Sequence, residues 1–418
     1  MNKALSFFKA IGIVVIFLLI ATPLTVKAGV AILNMITVSY DNSLEEVSPA
    51  VAYNSQRQEY LVVWYNDRAG NDDIRAQRLS SSGVLLGNPF YISAGSGADR
   101  WNPDVSYNSQ SNEYLVVWQE LSSGVNNIVG QRVTATGGIT GSRINITNLG
   151  GSDDAEDPAV AYSVTSNKWL VAWSQNPGSG NNDIYGATID SNGNPGTAFE
   201  ISQAPTNDSC RNPDLAFNHH TNRYLVVWHQ WENSNGKYNI HGRQVEGGGI
   251  NWGNSFTILT DNSFNPTVAA LPTSPTNGKF LVAMEYVDGA NLDIYGIIVD
   301  EDNSVNPKFK IASDISTDES QPSVAGDERA QRYLVSWRYL IDPISWELTI
   351  KARTVSYDGT LVDNIVDFEG NKANYPAVAN GPNGDFLTVW QDKPTGATTT
   401  GIFGHLWGNR LFMPLTIK

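Results

Sequence analysis

The stretch SPAVAYNSQRQEYLVVW, Ser48 to Trp64, joins two short apolar runs through a polar turn. It returns almost unchanged as NPDVSYNSQSNEYLVVW, Asn102 to Trp118. A phrase repeated at a fixed distance is the mark of a repeat architecture, so the period decides the fold. The proline of the phrase recurs at Pro49, Pro103, Pro158, Pro213, Pro266, Pro322 and Pro376, with gaps of 53 to 56 residues.

Three further landmarks keep step with it. YLVVW ends at Trp64 and Trp118, followed by WLVAW at Trp173, YLVVW at Trp228, FLVAM at Met284, YLVSW at Trp337 and FLTVW at Trp390. DIRAQRL, Asp73 to Leu79, is echoed by NIVGQRV, DIYGATI, NIHGRQV, DIYGIIV, TIKARTV and GIFGHLW. A short apolar segment such as FYIS, Phe90 to Ser93, closes most units. Each unit therefore holds four short runs rich in Val, Ile, Tyr, Phe and Trp, bounded by turn residues, which is the pattern of strands. Four strands per unit and seven units predict an all-β, seven-bladed β-propeller of four-stranded antiparallel blades over residues 33–410. A blade has two apolar faces and buries them only between neighbours.

The seventh unit lacks a clear fourth strand. MITVS, Met35 to Ser39, precedes the first unit, and Val38 lies as far before Pro49 as Ile92 lies before Pro103. The N-terminal strand is expected to complete the last blade. The alternative is the tail 411–418, where Pro414 would remove a ladder donor. The Trp that ends each second strand is read as packing between blades, with its N–H reaching a polar partner.

The N-terminus has Lys3 and Lys9, an apolar run Ile11 to Ile20, and Val26-Lys27-Ala28. It reads as a signal peptide over 1–28, removed on secretion, with an uncleaved anchor as the alternative. Loss of its three lysines takes the formal charge from −15 to −18, which makes nucleic acid a poor partner. Cys210 is the only cysteine, so no intramolecular disulfide can form.

Motifs with a defined chemistry are absent from the sequence: no G-x-S-x-G, no phosphate-binding loop, no H-E-x-x-H and no C-x-x-C. Four of the five histidines fall in the fourth unit, but at opposite ends of one strand or inside another, too far apart to share a zinc ion. No cofactor is required by the sequence. Structural Ca²⁺ stays open, because DSNGN, Asp190 to Asn194, and GSDDAEDP, Gly151 to Pro158, offer oxygen ligands. Turns of this composition also serve hairpins.

The repeats agree least in the connections of one face, around the mouth of the central channel. ADRWNP (98–103), GSDDAEDP, QWENSNGKYN (230–239) and YLIDPISWE (339–347) lie there. The candidate ligand-binding residues are Arg100, Trp101, Asp153, Asp154, Glu156, Asp157, Trp231 and Trp346 from these stretches, with Arg211 and His229 outside them. Trp beside charged and amide side chains suits a sugar or a protein surface.

The repeat, P-x-V-A-Y-N then Y-L-V-V-W then D-I-x-G, resembles the propeller repeats of secreted bacterial proteins, most of them without an assigned activity. The architecture is also similar to that of propeller lectins, although no lectin motif transfers residue by residue. The unit lacks the W-D ending of WD40 repeats and the paired glycines of kelch repeats, and SYDGT, Ser356 to Thr360, departs from the turn motif of sialidases. The expectation is a secreted or cell-surface, non-catalytic, monomeric propeller that binds a carbohydrate or an extracellular protein. An extracellular glycoside hydrolase or lyase and a calcium-stabilised adhesion module are the alternatives.

Overall fold

The structure is a computed structural model that describes residues 31–32, 35–67, 71–95, 97–178, 180–205, 207–271, 278–312, 317–368 and 370–408. The signal-peptide segment 1–28 and the tail 411–418 lie outside the described residues.

Each unit folds into one antiparallel sheet whose strands, a to d, follow in chain order. In blade 1 these are Glu45–Asn54, Glu59–Asp67, Asp73–Ser80 and Leu85–Ser93. The order repeats over 99–145, 154–200, 209–260, 263–312 and 319–368. Each a strand touches the a strands of both neighbouring blades, the last touching the first, so the ring is closed around a central channel.

Closure uses the N-terminal strand, as the register predicts. Blade 7 takes Asn374–Asn380, Phe386–Asp392 and Gly401–Gly408 from the C-terminal end. Ile36–Tyr40 pairs antiparallel with Gly401–Gly408, setting Ile36 opposite Gly404 and Tyr40 opposite Gly401. The first and last segments of the propeller thus share a sheet, and no outer edge of blade 7 is left without its fourth strand.

The repeated phrase is explained at the seams. Seven apolar clusters form, one per blade interface. Trp64, Trp118, Trp173, Trp228, Met284, Trp337 and Trp390 each sit fully buried in the seam toward the preceding blade. In blades 1 to 4 the indole N–H donates to the polar residue two places on. Trp64 bonds Asn66 at 3.1 Å and Trp173 bonds Gln175 at 3.0 Å, because residues i and i+2 share a face of a strand. The a-to-b turns tie the opposite face together. Asn54 accepts from the N–H groups of Gln56 and Arg57 within its own turn. It also donates to Asn112 of blade 2 at 2.9 Å.

One local expectation changes. The proline does not open strand a. The strand begins two to four residues earlier in every blade and bulges at the residue before the proline. A bulge leaves one residue out of the ladder, so a proline without an N–H costs no strand bond there.

Candidate functional site

The bulges build a ring. The residues before the seven prolines are Ser48, Asn102, Asp157, Asn212, Asn265, Gln321 and Tyr375, with φ between 44° and 53°. A residue before proline normally stays extended, and the left-handed region is rare outside Gly, Asn and Asp. Four of the seven are Asn or Asp. The other three carry strain of about 1–3 kcal/mol each, which the seams must offset.

The seams do so through the residue after the strand-b Trp, which faces the next blade. Gln391 accepts the N–H of Ser48 at 3.1 Å, His229 Nδ1 that of Asn265 at 3.3 Å, and Glu285 that of Gln321 at 2.7 Å. Tyr375 donates its N–H to the Gln321 side chain at 2.9 Å. The ring side chains also bond to each other: Asn102 donates to Asp157 at 3.1 Å and Asn212 to Asn265 at 2.7 Å. A cavity of about 440 Å³ opens at this mouth, lined by the seven X-Pro pairs and, one residue deeper, by Asp104, Ala159, Asp214, Thr267 and Ser323.

The deeper carboxylates tie blades across seams. Asp104 accepts the N–H of Val160 at 2.7 Å and of its neighbour Val105 at 2.8 Å. Asp214 accepts from Thr267 Oγ1 at 2.8 Å and from the N–H of Val268 at 2.7 Å. Burial lifts the Asp104 carboxyl to about 7, and the nearby Asp214 charge adds to the rise. Asp214 is also raised, by burial.

Of the sequence candidates Asp157 lines the cavity, and four others are next in the chain to a lining residue or bonded to one. Trp101, Glu156 and Arg211 stand two residues before their prolines, on the strand rather than in loops, and Asp157 lies in the ring. His229 lies in the adjoining seam. Arg211 is half-exposed and its guanidinium is 3.8 Å from Glu156. Burial pushes the Asp157 carboxyl up, and Glu156 adds to the rise. Burial, then the Arg211 charge, lowers His229 to about 4, so it is neutral at physiological pH.

The others are placed elsewhere. Arg100 is buried, bonded to Glu120 at 3.0 Å, with Asp73 3.6 Å away. Asp154 accepts the Asn126 N–H at 2.8 Å, and Asp153 precedes it at the strand start. Trp231 is half-buried and packs edge-on against Tyr238, 5.0 Å between ring centres. Trp346 is 64% exposed in the b-to-c turn of blade 6, where the Lys372 amine holds its carbonyl at 2.6 Å.

Tyr375, Asn102, Asn212, Asn265, Gln321, Asp104 and Asp214 were not singled out in the sequence. Their signal is positional: each flanks a repeat proline. Among the described residues, no group of three or more His, Cys, Asp and Glu side chains is placed to hold a metal ion. The DSNGN carboxylate of Asp190 is engaged by the N–H groups of Asn192 and Asn194 at 2.9 and 2.8 Å, as a hairpin requires.

The chain is thus a seven-bladed β-propeller with a polar, partly aromatic channel mouth. No family model matches it, and no curated protein matches it. Solved structures share the architecture. A protein of unknown function from Dyadobacter fermentans is 12% identical over 91% of this chain and 100% of that one, with a TM-score of 0.55. The GH93 α-L-arabinofuranosidase of Fusarium graminearum is 11% identical over 78% and 98%, at 0.51. The phage phi92 endosialidase is 8% identical over 92% and 70%, at 0.53. Likeness at such identity is likeness of fold.

Proposed function

We propose that this protein is a secreted, non-catalytic propeller that binds a carbohydrate at the mouth of its central channel. The observation that carries the reading is the X-Pro ring: side-chain amides and carboxylates held in register around one cavity, with the Tyr375 ring 45% exposed on its wall. Amides and carboxylates match sugar hydroxyls, and an aromatic face matches the C–H face of a sugar. Two of the fold neighbours are named for carbohydrate-acting enzymes, which agrees with the class of ligand. Binding is favoured over hydrolysis because both oxygens of Asp104 and of Asp214 already accept hydrogen bonds that fix the fold. Among the described residues no helix is long and apolar enough to cross a membrane.

The test is a glycan array on the full chain with a reducing-sugar assay beside it. Trp101→Ala and Tyr375→Ala are each expected to lower affinity about tenfold, roughly 1.4 kcal/mol, with no product formed. Release of reducing ends would replace this reading with the hydrolase reading. Blank results in both assays over a broad panel would remove carbohydrate altogether.

A further inference from the structure

The other end of the central channel carries a cavity of its own. The residue four places after each repeat proline stands there, at the end of strand a: Tyr53, Tyr107, Tyr162, Phe217, Ala270, Gly326 and Asn380. In blades 1 to 4 its ring packs on a ring near the start of strand b, with centres 4.9 to 5.6 Å apart. Blades 5 to 7 have no ring at this position. The room left there is a cavity of about 350 Å³, with Tyr53 at one side and Phe217 at the other. That is the small end of the range for ligand pockets.

Unused polar groups line it. Tyr107 and Tyr162 fix their hydroxyls on Asn112 and Asn167, five residues on, at 3.0 and 2.9 Å. Blade 1 has Gln58 at that place, and the Tyr53 hydroxyl has no hydrogen-bond partner among the described residues. Gln58 keeps a left-handed φ of 54°, which suits asparagine better, so the turn itself does not favour the exchange. The Arg329 guanidinium, in the a-to-b turn of blade 6, also has no acid or acceptor among the described residues. Burial raises the Tyr53 phenol and the Arg329 charge opposes that rise, so the two groups act on one space across blade 7.

The two acids of the cavity are engaged. Glu328 stands 3.4 Å from the His219 ring, which reaches over from blade 4. Asp327 is buried and accepts the Ala330 N–H at 2.6 Å. One uncommitted cation is left, with the amides of Gln58, Asn380 and Asn383 around it.

We infer that this end of the channel is a second ligand site, separate from the X-Pro ring, and that it takes a one-ring sugar acid whose carboxylate meets Arg329 and the Tyr53 hydroxyl. A guanidinium grips a carboxylate with two parallel N–H groups, and a phenol adds a third donor. The amides match ring hydroxyls, and the Tyr53 and Phe217 rings match the C–H face of a sugar. A neutral sugar leaves the guanidinium without an anion. A phosphate ester brings about two negative charges to one guanidinium beside two carboxylates.

The experiment is a ligand-observed NMR titration of the full chain with D-glucuronate, D-glucose and acetate, at about 0.15 M salt so that the net acidic charge of the chain is screened. Glucuronate is expected to bind at least about tenfold more tightly than glucose or acetate. Arg329→Gln should bring glucuronate to within about threefold of glucose. Ala270→Tyr restores the ring of blades 1 to 4 and should abolish glucuronate binding by filling the cavity, so failure of one variant to fold leaves the other as the test. Lys237→Gln, at an exposed lysine on the opposite face, should keep the preference. Glucose as tight as glucuronate, or a preference that survives Arg329→Gln or Ala270→Tyr, overturns the inference. Acetate as tight as glucuronate overturns it as a site for bare anions. Equal erosion by Lys237→Gln overturns it as adsorption to exposed cations. The X-Pro ring is tested separately by the array, so absence of glucuronate binding beside a positive array fells this inference alone.

Discussion

Asp104→Asn should gain stability relative to wild type as pH rises from 4 to 8. The folded carboxyl titrates at about 7 against an ordinary value of 3.8. Between those values the folded state holds a proton that the unfolded chain has released. Stability is then fully present below about pH 4 and is lost as pH rises toward 7. A rise of about three units has a ceiling of about 4 kcal/mol. The side chain is only partly buried and lines the open cavity, so about 1–2 kcal/mol is the expected size. Asparagine carries no charge at any pH, but its Nδ2 cannot accept, so one of the two N–H bonds from Val105 and Val160 is lost at a pH-independent cost. That cost places the variant below wild type near pH 4, and the difference should move in its favour by pH 8. For a chain of this length, unfolding entropy converts each kcal/mol into roughly 1.3 °C. The melting temperature of the variant minus that of wild type should therefore rise by about 2 °C from pH 4 to pH 8. Asp157 and Glu46 titrate upward too, but they are present in both proteins and cancel in the difference. A difference that stays constant, or falls with rising pH, refutes the account of Asp104 as a carboxyl held up by burial.

Two further outcomes follow from the ring and its seams. Val38 is buried among Trp64, Leu406 and Ile402 where the N-terminal strand closes blade 7, so Val38→Asp should cost more than about 3 kcal/mol, read as a fall in melting temperature of several degrees; a loss below 1 kcal/mol would mean that closure does not depend on this strand. His229 should show no titration of its ring signals by NMR between pH 5.5 and 8, and Arg211→Ala should raise its midpoint while burial keeps it below 6.5; a wild-type midpoint at 6 or above would contradict the buried, neutral imidazole.

The fold was legible because the features that define it are periodic. The proline, the buried Trp and the third-strand motif each recur once per blade, and each is needed at every seam. Even closure could be read, since Val38 stands in the same register to Pro49 as Ile92 does to Pro103. The mouth was half legible. Trp101, Glu156, Asp157, Arg211 and His229 were visible as chemistry where the repeats disagree. The ring that gathers them was not, because a residue before proline is ordinarily extended. Seam bonds to Gln391, His229, Glu285 and Gln321 help hold it left-handed, and those are long-range contacts. For the same reason Arg100 and Trp231 read as exposed: their partners, Glu120 and Tyr238, are close in the sheet but twenty and seven residues away in the chain.

The seven residues that follow the prolines draw these threads together. They are Ala50, Asp104, Ala159, Asp214, Thr267, Ser323 and Ala377. Their backbone task is the same in every blade, and three alanines perform it. Packing therefore accounts for the shared strand but not for the two acids. An acid at this position lowers stability at neutral pH, and a serine offers the same seam bond without that cost. Asp104→Asn should gain on wild type in melting temperature as pH rises and hold a saccharide at the mouth less tightly, the opposition expected where a binding site is built from groups the fold would do better without.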